Sequence, residues 1–319
     1  MKMLLAIESP NFRLSPAALL RVGEAAPGYE LRYVRQEAVT AQQTAQAEII
    51  FGLIPSELLQ HAEKLRWLHI INAGIEPYGD LRLFARRDTV LTNASGVFGI
   101  QIAEHGIGML LGVCRAFPLY MRQMESGQWQ RHSTAREVYG ATAAVFGLGD
   151  LGLNVARRLR GFGCRILGVR QSILEKPPEV DEIFSLRQRL EVLRRADIVF
   201  NCLPGTSKTV GIFDREAFAS MPRRSVFINL GRGRTADTDA LWEALESGQL
   251  FGAGLDVVDP EPLPAEHPLW RQENVILTPH SSSASPEEPG RQLVLFCRLM
   301  DRYLSGKPME NAVNFLREY

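Results

Sequence analysis

Apolar residues along the 319-residue chain fall into two alternating patterns. Short apolar runs at 3–7, 31–34, 48–51, 67–71 and 90–92 have the length and spacing of strands, and the stretches between them carry helical spacing or turn residues. Such alternation predicts a parallel sheet flanked by helices. The fourth run ends in Asn72-Ala73-Gly74. That turn is either an ordinary strand-to-helix connection or a cradle whose backbone N–H groups face a small anion.

A long apolar helix is predicted from 102 to 120, interrupted near Pro118. Its Gly106, Gly108 and Gly112 suggest close packing against another helix, in this chain or in a second subunit. His105, beside Glu104, reads as a hydrogen-bonded core residue or as a catalytic one. The next apolar run, 143–146, leads into Gly147, Gly149 and Gly152, after which Leu151, Val155, Leu159 and Phe162 keep helical spacing until a second strand ends at Arg170. Strand, glycine turn, helix and strand form a dinucleotide fingerprint. Gly147 permits the turn, Gly149 admits a diphosphate to the backbone, and Gly152 lets the helix approach the sheet. The helix N-terminus offers free N–H groups to the phosphates. A kinase phosphate loop shares the spacing, but it would lie in a hairpin followed by a strand lysine, which is missing.

After a polar, Pro-containing stretch, a helix is predicted from about Ser185, then strands at 198–203 and 225–230, and two more ending at Asp256 and at Thr278-Pro279-His280. Five successive strands therefore end in a Gly-rich turn or a polar residue, and by the rule for open α/β sheets these ends line one crevice. An amphipathic helix at 293–304 is expected to return to the first domain.

Composition narrows the function. Hydrophobic residues make up 45%, and 36 basic residues balance 36 acidic ones, so no net field favours nucleic acid or an anionic membrane. The apolar stretch 3–7 is too short for a signal peptide, and 106–114 is too short to span a bilayer. Cys114, Cys164, Cys202 and Cys297 are far apart and show no metal-ligand spacing. They read as buried free thiols of a cytoplasmic protein, and no metal is expected.

Along the crevice the strand ends supply one arginine, one carboxylate and one histidine: Arg232, Glu261 and His280. This set suits reduction of a 2-oxo acid. A guanidinium holds a carboxylate through two parallel hydrogen bonds and polarises the adjacent carbonyl. An imidazole can protonate the carbonyl oxygen as hydride arrives, and a carboxylate orients the ring and favours its protonated form. Each residue also has a plainer reading, as a solvated loop arginine, a loop glutamate and a histidine at a strand end.

From 93 to 314 the chain resembles the D-isomer-specific 2-hydroxyacid dehydrogenases. Five motifs carry the resemblance: Ala103-Glu104-His105; Gly127-Gln128-Trp129; Asn229-Leu230-Gly231-Arg232-Gly233; Leu255-Asp256-Val257 with Glu261-Pro262; and Thr278-Pro279-His280. The resemblance implies an α/β fold of two domains, a Rossmann doubly wound parallel sheet (101–282) inserted in a flavodoxin-like substrate domain (1–100, completed by 283–319). It implies Arg232, Glu261 and His280 as catalytic residues. Ala73, Gly74 and Ile75, with Arg232 and His280, would bind the substrate. The cofactor would lie on Gly147, Leu148, Gly149, Asp150, Leu151, Gly152, Leu203, Pro204, Thr206 and Thr209, with Asp256 on the nicotinamide carboxamide. A homodimer through the nucleotide domain is also implied, and it would account for the glycines after Ile102.

Departures refine this. Where an NAD enzyme carries an acid for the ribose hydroxyl, the second strand ends Arg170-Gln171-Ser172, which suits a 2′-phosphate and predicts NADP(H) over NAD(H). Ser281-Ser282-Ser283 and 98–101 differ from the usual residues near the expected substrate pocket. With Leu203 to Thr209 and Pro268-Leu269-Trp270, the Arg170 ending is similar to the glyoxylate/hydroxypyruvate reductase branch. The reading is a reductase of small 2-oxo acids to D-2-hydroxy acids. Its rivals are an NAD-dependent dehydrogenase of another substrate, a formate-dehydrogenase-like reaction without a proton donor, and a nucleotide-sensing scaffold.

Overall fold

The computed structural model describes residues 2–171 and 175–318. The chain divides into two units, 1–98 with 285–319, and 99–284.

The first unit is built on strands β1 (Lys2–Glu8), β2 (Tyr29–Arg35), β3 (Ala47–Phe51), β4 (Trp67–His69) and β5 (Val90–Thr92), with helices α1 (Pro16–Ala25) and α2 (Ala41–Gln46). Both helices start where their caps dictate. The Ser15 hydroxyl accepts from Ala18 N ahead of Pro16, and Thr40 and Gln43 form a reciprocal capping box. The strands pair in parallel in the order β2-β1-β3-β4-β5, a flavodoxin-like arrangement. Phe296, far along the chain, is fully buried in this unit's core, stacked on Phe51 at 4.0 Å and on Trp67 at 5.3 Å.

The second unit runs α3 (Gly99–Cys114), α4 (Phe117–Glu125), β6 (Thr142–Phe146), α5 (Asp150–Gly161), β7 (Arg165–Arg170), β8 (Glu182–Ser185), α6 (Arg189–Leu193), β9 (Ile198–Asn201), α7 (Arg215–Ser220), β10 (Ser225–Asn229), α8 (Thr238–Glu246), β11 (Leu250–Leu255) and β12 (Val275–Leu277). Its strands are parallel, in the order β12-β11-β10-β9-β6-β7-β8. Strand order reverses between β6 and β9, which is the doubly wound topology and its switch point. Helix α9 (Glu288–Leu304) belongs to the first unit, where Leu293, Leu295, Phe296, Leu299 and Met300 are buried.

Two local expectations are corrected and a third is refined. The apolar helix breaks at Ala116, which turns left-handed (φ 58°), and Pro118 lies in the first turn of α4, where a missing N–H costs nothing. The polar stretch after Arg170 hides the edge strand β8, whose four residues are too few to show a period, and α6 begins only after a 3₁₀ turn. Helix α3 packs against α5 of the same chain, as its small residues suggest, and two of its glycines also make room for residues on the sheet side. A Cβ at Gly106 would lie 2.4 Å from Leu230, and one at Gly112 would lie 2.6 Å from Ile276, whereas Gly108 faces open space. Two of the three are therefore accounted for without a second subunit.

His69 gives the first unit a pH dependence. Its ring is fully buried, bonded to Thr92 Oγ1 at 2.8 Å, and burial alone drives its pKa down to about 3. An unfolded histidine titrates near 6.5, so from there down to about 3 only the unfolded chain gains the proton. Stability is thus full above 6.5 and falls by about 1.4 kcal/mol per pH unit below it. Urea unfolding of wild type and His69→Phe at pH 7 and pH 5 checks this; the variant should lose less on acidification, and equal losses would contradict the assignment.

Candidate active site

The glycine turn follows β6. Gly147 has φ +92°, and a Cβ there would lie 2.7 Å from the Cys202 carbonyl oxygen, so the turn is pressed against the end of β9. A Cβ at Gly152 would lie 1.8 Å from the Gly147 oxygen, which seats α5 on the turn. Gly149 differs, since a Cβ there would meet nothing within 4 Å. Helix α5 is capped by no side chain, so this open turn ends at uncompensated helix N–H groups of the kind that hold a diphosphate. Leu148 is buried against Gly168, and Leu151 is half-buried on the same core. The Asp150 carboxylate is committed elsewhere, accepting from Gly99 N at 2.8 Å and from Asn154 Nδ2 at 3.1 Å. Only its backbone N–H remains for a phosphate.

Past the ends of β7 and β8 is a cleft of about 790 Å³, lined among others by Gln171, Ser185, Arg187, Arg189 and Lys208. Arg189 is 3.5 Å from Asp214, and the lining has no acidic residue. Arg170, half-buried at the end of β7, is not part of the lining, and Ser172 lies outside the described residues. Arg187 and Lys208 were not singled out in the sequence, because only the sheet order brings the ends of β7, β8 and β9 together. On the β9 turn, Leu203 is buried and Pro204 exposed. Thr209 Oγ1 lies 3.0 Å from Thr206 Oγ1 and accepts from Thr206 N at 2.8 Å, so both threonines serve the turn itself.

Arg232 leaves β10 between two glycines that admit no side chain. A Cβ at Gly231 would lie 2.5 Å from the Leu203 oxygen, and one at Gly233 would lie 1.7 Å from the Val258 oxygen. Beneath it, Asn201 Nδ2 donates to Asn229 Oδ1 (2.8 Å) and Thr235 Oγ1 (2.6 Å), and Thr235 Oγ1 donates to the Arg232 carbonyl (2.6 Å). This buried lattice fixes the arginine's backbone. After β12, His280 is half-exposed and left-handed (φ +49°), a conformation that costs a non-glycine residue roughly 1–2 kcal/mol. Its Nδ1 lies 2.9 Å from Glu261 Oε2, while Glu261 Oε1 accepts from Val258 N at 3.1 Å. An ionised carboxylate only accepts, so Nδ1 carries a hydrogen and Nε2 is left for proton exchange.

Asp256 is 2% exposed. Burial opposes its charge, but donors from Ser282, Thr278 and Ser281 outweigh burial and hold its carboxyl below the usual range. His105 Nε2 lies 3.0 Å from Thr278 Oγ1, so the histidine is bonded into this cluster. Cys114 and Cys164 are buried, and burial pushes the Cys114 thiol up to about 11, as expected of inert thiols.

In the first unit, Ala73, Gly74 and Ile75 follow β4. Their surroundings are pinned by carbonyl contacts: Asn93 Nδ2 to Ala73 O (2.8 Å), Ala94 N to Asn72 O (2.9 Å) and Gln292 Nε2 to Ile71 O (2.7 Å). Among the described residues the N–H groups of these three have no acceptor. No helix among the described residues is long and apolar enough to cross a membrane.

Residues 107–282 match the model of the D-isomer specific 2-hydroxyacid dehydrogenase, NAD binding domain. The chain is 32% identical over 269 residues to the glyoxylate reductase of Korarchaeum cryptofilum, covering 82% of this chain and 80% of that one. It is 30% identical over 262 residues to the D-3-phosphoglycerate dehydrogenase of Methanocaldococcus jannaschii, of which it spans 50%. Among solved structures, it resembles the NADPH-dependent glyoxylate/hydroxypyruvate reductase SmGhrA of Sinorhizobium meliloti, determined with NADP and sulfate. The TM-score is 0.82 at 26% identity, over all of both chains. A matching nucleotide domain over more than half of the chain, and a glyoxylate reductase aligned over four fifths of its length, lead to one conclusion: the chain belongs to the D-isomer specific 2-hydroxyacid dehydrogenase family.

Proposed function

We propose that this protein is an NADP(H)-preferring reductase of small 2-oxo acids, glyoxylate or hydroxypyruvate first, giving D-2-hydroxy acids. The observation that carries the reading is the 2.9 Å contact between His280 Nδ1 and Glu261, which leaves Nε2 free to move a proton. When bound, the nicotinamide supplies the hydride to the carbonyl carbon. The chain's own residues do the rest. Arg232 holds the substrate carboxylate and stabilises charge developing on the carbonyl oxygen. His280 Nε2 delivers the proton to that oxygen, and Glu261 keeps the ring oriented as the proton leaves. Ala73, Gly74 and Ile75 offer N–H groups to the substrate carboxylate, and Gly147 to Gly152 hold the diphosphate. The names of the glyoxylate reductase relatives support the substrate class. A homodimer is the working assembly, tested by light scattering of the purified protein.

Oxidation of NADPH and NADH across a panel of 2-oxo acids tests both halves of the reading. A kcat/KM at least about tenfold higher with NADPH is expected, equivalent to about 1.4 kcal/mol, and a clear preference for NADH would sink the cofactor assignment. His280→Gln should lower kcat by about 10²-fold or more while NADPH still binds; near-normal turnover would refute the proton-donor role. Gly149→Ala separates folding from cofactor binding. Its Cβ meets no protein atom, so Tm should stay within about 2 °C while NADPH binding by fluorescence titration weakens about tenfold. Unchanged binding would remove Gly149 from the diphosphate site.

A further inference from the structure

The first unit holds a cavity of about 450 Å³ that the functional reading does not use. Three stretches far apart in the chain line it: Arg21 on α1, the turn at 95–97 that follows β5, and a stripe of α9 carrying Arg291 and Arg298 two helical turns apart. Among its described lining residues are none of Ala73, Gly74, Ile75, Arg232, Glu261 and His280. The 95–97 turn and the start of α9 are also where the chain leaves this unit and re-enters it. A ligand in the cavity would touch both stretches.

The charges of the lining do not cancel. Three arginines stand against one glutamate, Glu287, which leaves a net charge of +2 by subtraction. Glu310, outside the lining, lies 3.1 Å from both Arg298 and Arg302, which share it. Arg21 is exposed and makes no ion pair among the described residues. A lone surface arginine signifies little, but cations on one concave wall sum their fields. Guanidinium groups hold carboxylate and phosphate oxygens through paired N–H donors. Ser95 adds a hydroxyl to the lining, and Val97 and Val294 add apolar surface. Gly290, in the first turn of α9, keeps the wall bare. Its backbone is not left-handed, and a Cβ there would meet nothing within 4 Å. Glycine is a poor helix former, and neither packing nor backbone conformation requires it at this position.

We propose that this cavity binds a small organic dianion, a dicarboxylate or a phosphate monoester, with its charged groups on Arg21 and Arg291 and its stem on Val97 and Val294. Calorimetric titration of the full chain with succinate and with butyl phosphate tests this and separates the two sources of the charge. At least one probe should bind with a Kd of about 1 mM or tighter, and amide exchange should slow at 95–97 and 287–291 on binding. The site should persist in Arg232→Ala, which removes the arginine proposed to hold the substrate. Arg21→Ala should weaken it about tenfold, the loss of one charged pair of hydrogen bonds. Gly290→Leu should abolish it by filling the wall, with Tm within about 2 °C of wild type. Should Gly290→Leu fail to fold, Arg21→Ala decides alone. Weaker binding of both probes, loss of the site in Arg232→Ala, or wild-type affinity in either cavity variant would overturn the proposal.

Discussion

At the carboxyl edge of the seven-stranded sheet, neighbouring turns lie so close that no methyl group fits between them. The backbone at Cys202 and Leu203 leaves no room for a Cβ on Gly147 on one side or on Gly231 on the other, and the Val258 carbonyl leaves none on Gly233. The glycine turn after β6 and the arginine turn after β10 therefore rest on the same two residues, Cys202 and Leu203, which follow β9. Moving one requires moving the other, because packed backbone has no soft degree of freedom there. Of the three glycines in the fingerprint, Gly147 and Gly152 are demanded by packing alone, and only Gly149 keeps open space. The spacing that reads as one motif thus records two constraints, a fold that must close and a surface that must stay bare.

Close packing fixes the backbone; buried polar groups then aim it. Asn201, Asn229 and Thr235 are nearly inaccessible, and each is satisfied by the others or by a turn amide, with Leu203 N and Gly231 N donating to Asn201 and Asn229. Unpaired, such groups would cost about 1–3 kcal/mol each; paired, they tolerate only one arrangement of the two turns. Asp256 plays a similar part for the next turn. The side chains proposed to face a substrate, those of Arg232 and His280, are partly exposed, so their precision is inherited from the residues beneath them.

Much of this was legible in the sequence because it is local. Apolar runs that stop at Gly147, Pro204, Gly231 or Asp256 mark strand ends, and in a parallel sheet all such ends share one edge. The His280, Glu261 and Arg232 positions follow from that rule. What stayed hidden depends on contacts distant in the chain. Nothing near Asp150 indicates that its carboxylate is spent on Gly99, 51 residues away. Nothing near Ser282 indicates that it turns inward to Asp256, 26 residues away. The glycines of α3 suggest a helix partner, and α5 of the same chain is one; what they do not show is that Leu230 and Ile276 press on Gly106 and Gly112 as well. Strand β8 was invisible because four residues at a sheet edge need bury little.

On the proposed reading the cleft lined by Gln171, Arg187 and Lys208 takes the adenosine end of the cofactor, and its charges limit how firmly it can choose. Its cations Arg187 and Lys208 are exposed, so their attraction for a phosphate is screened over a Debye length of about 8 Å at physiological ionic strength. Specificity is a difference of affinities, and it can come from attracting one ligand or from repelling the other. A carboxylate on the ribose would repel a 2′-phosphate at close range. Among the described residues that line the cleft none is acidic, and a ligand without the phosphate strands no buried charge, because the exposed cations stay hydrated. Discrimination built on exposed attraction alone is graded: the phosphate adds affinity, and its absence is tolerated.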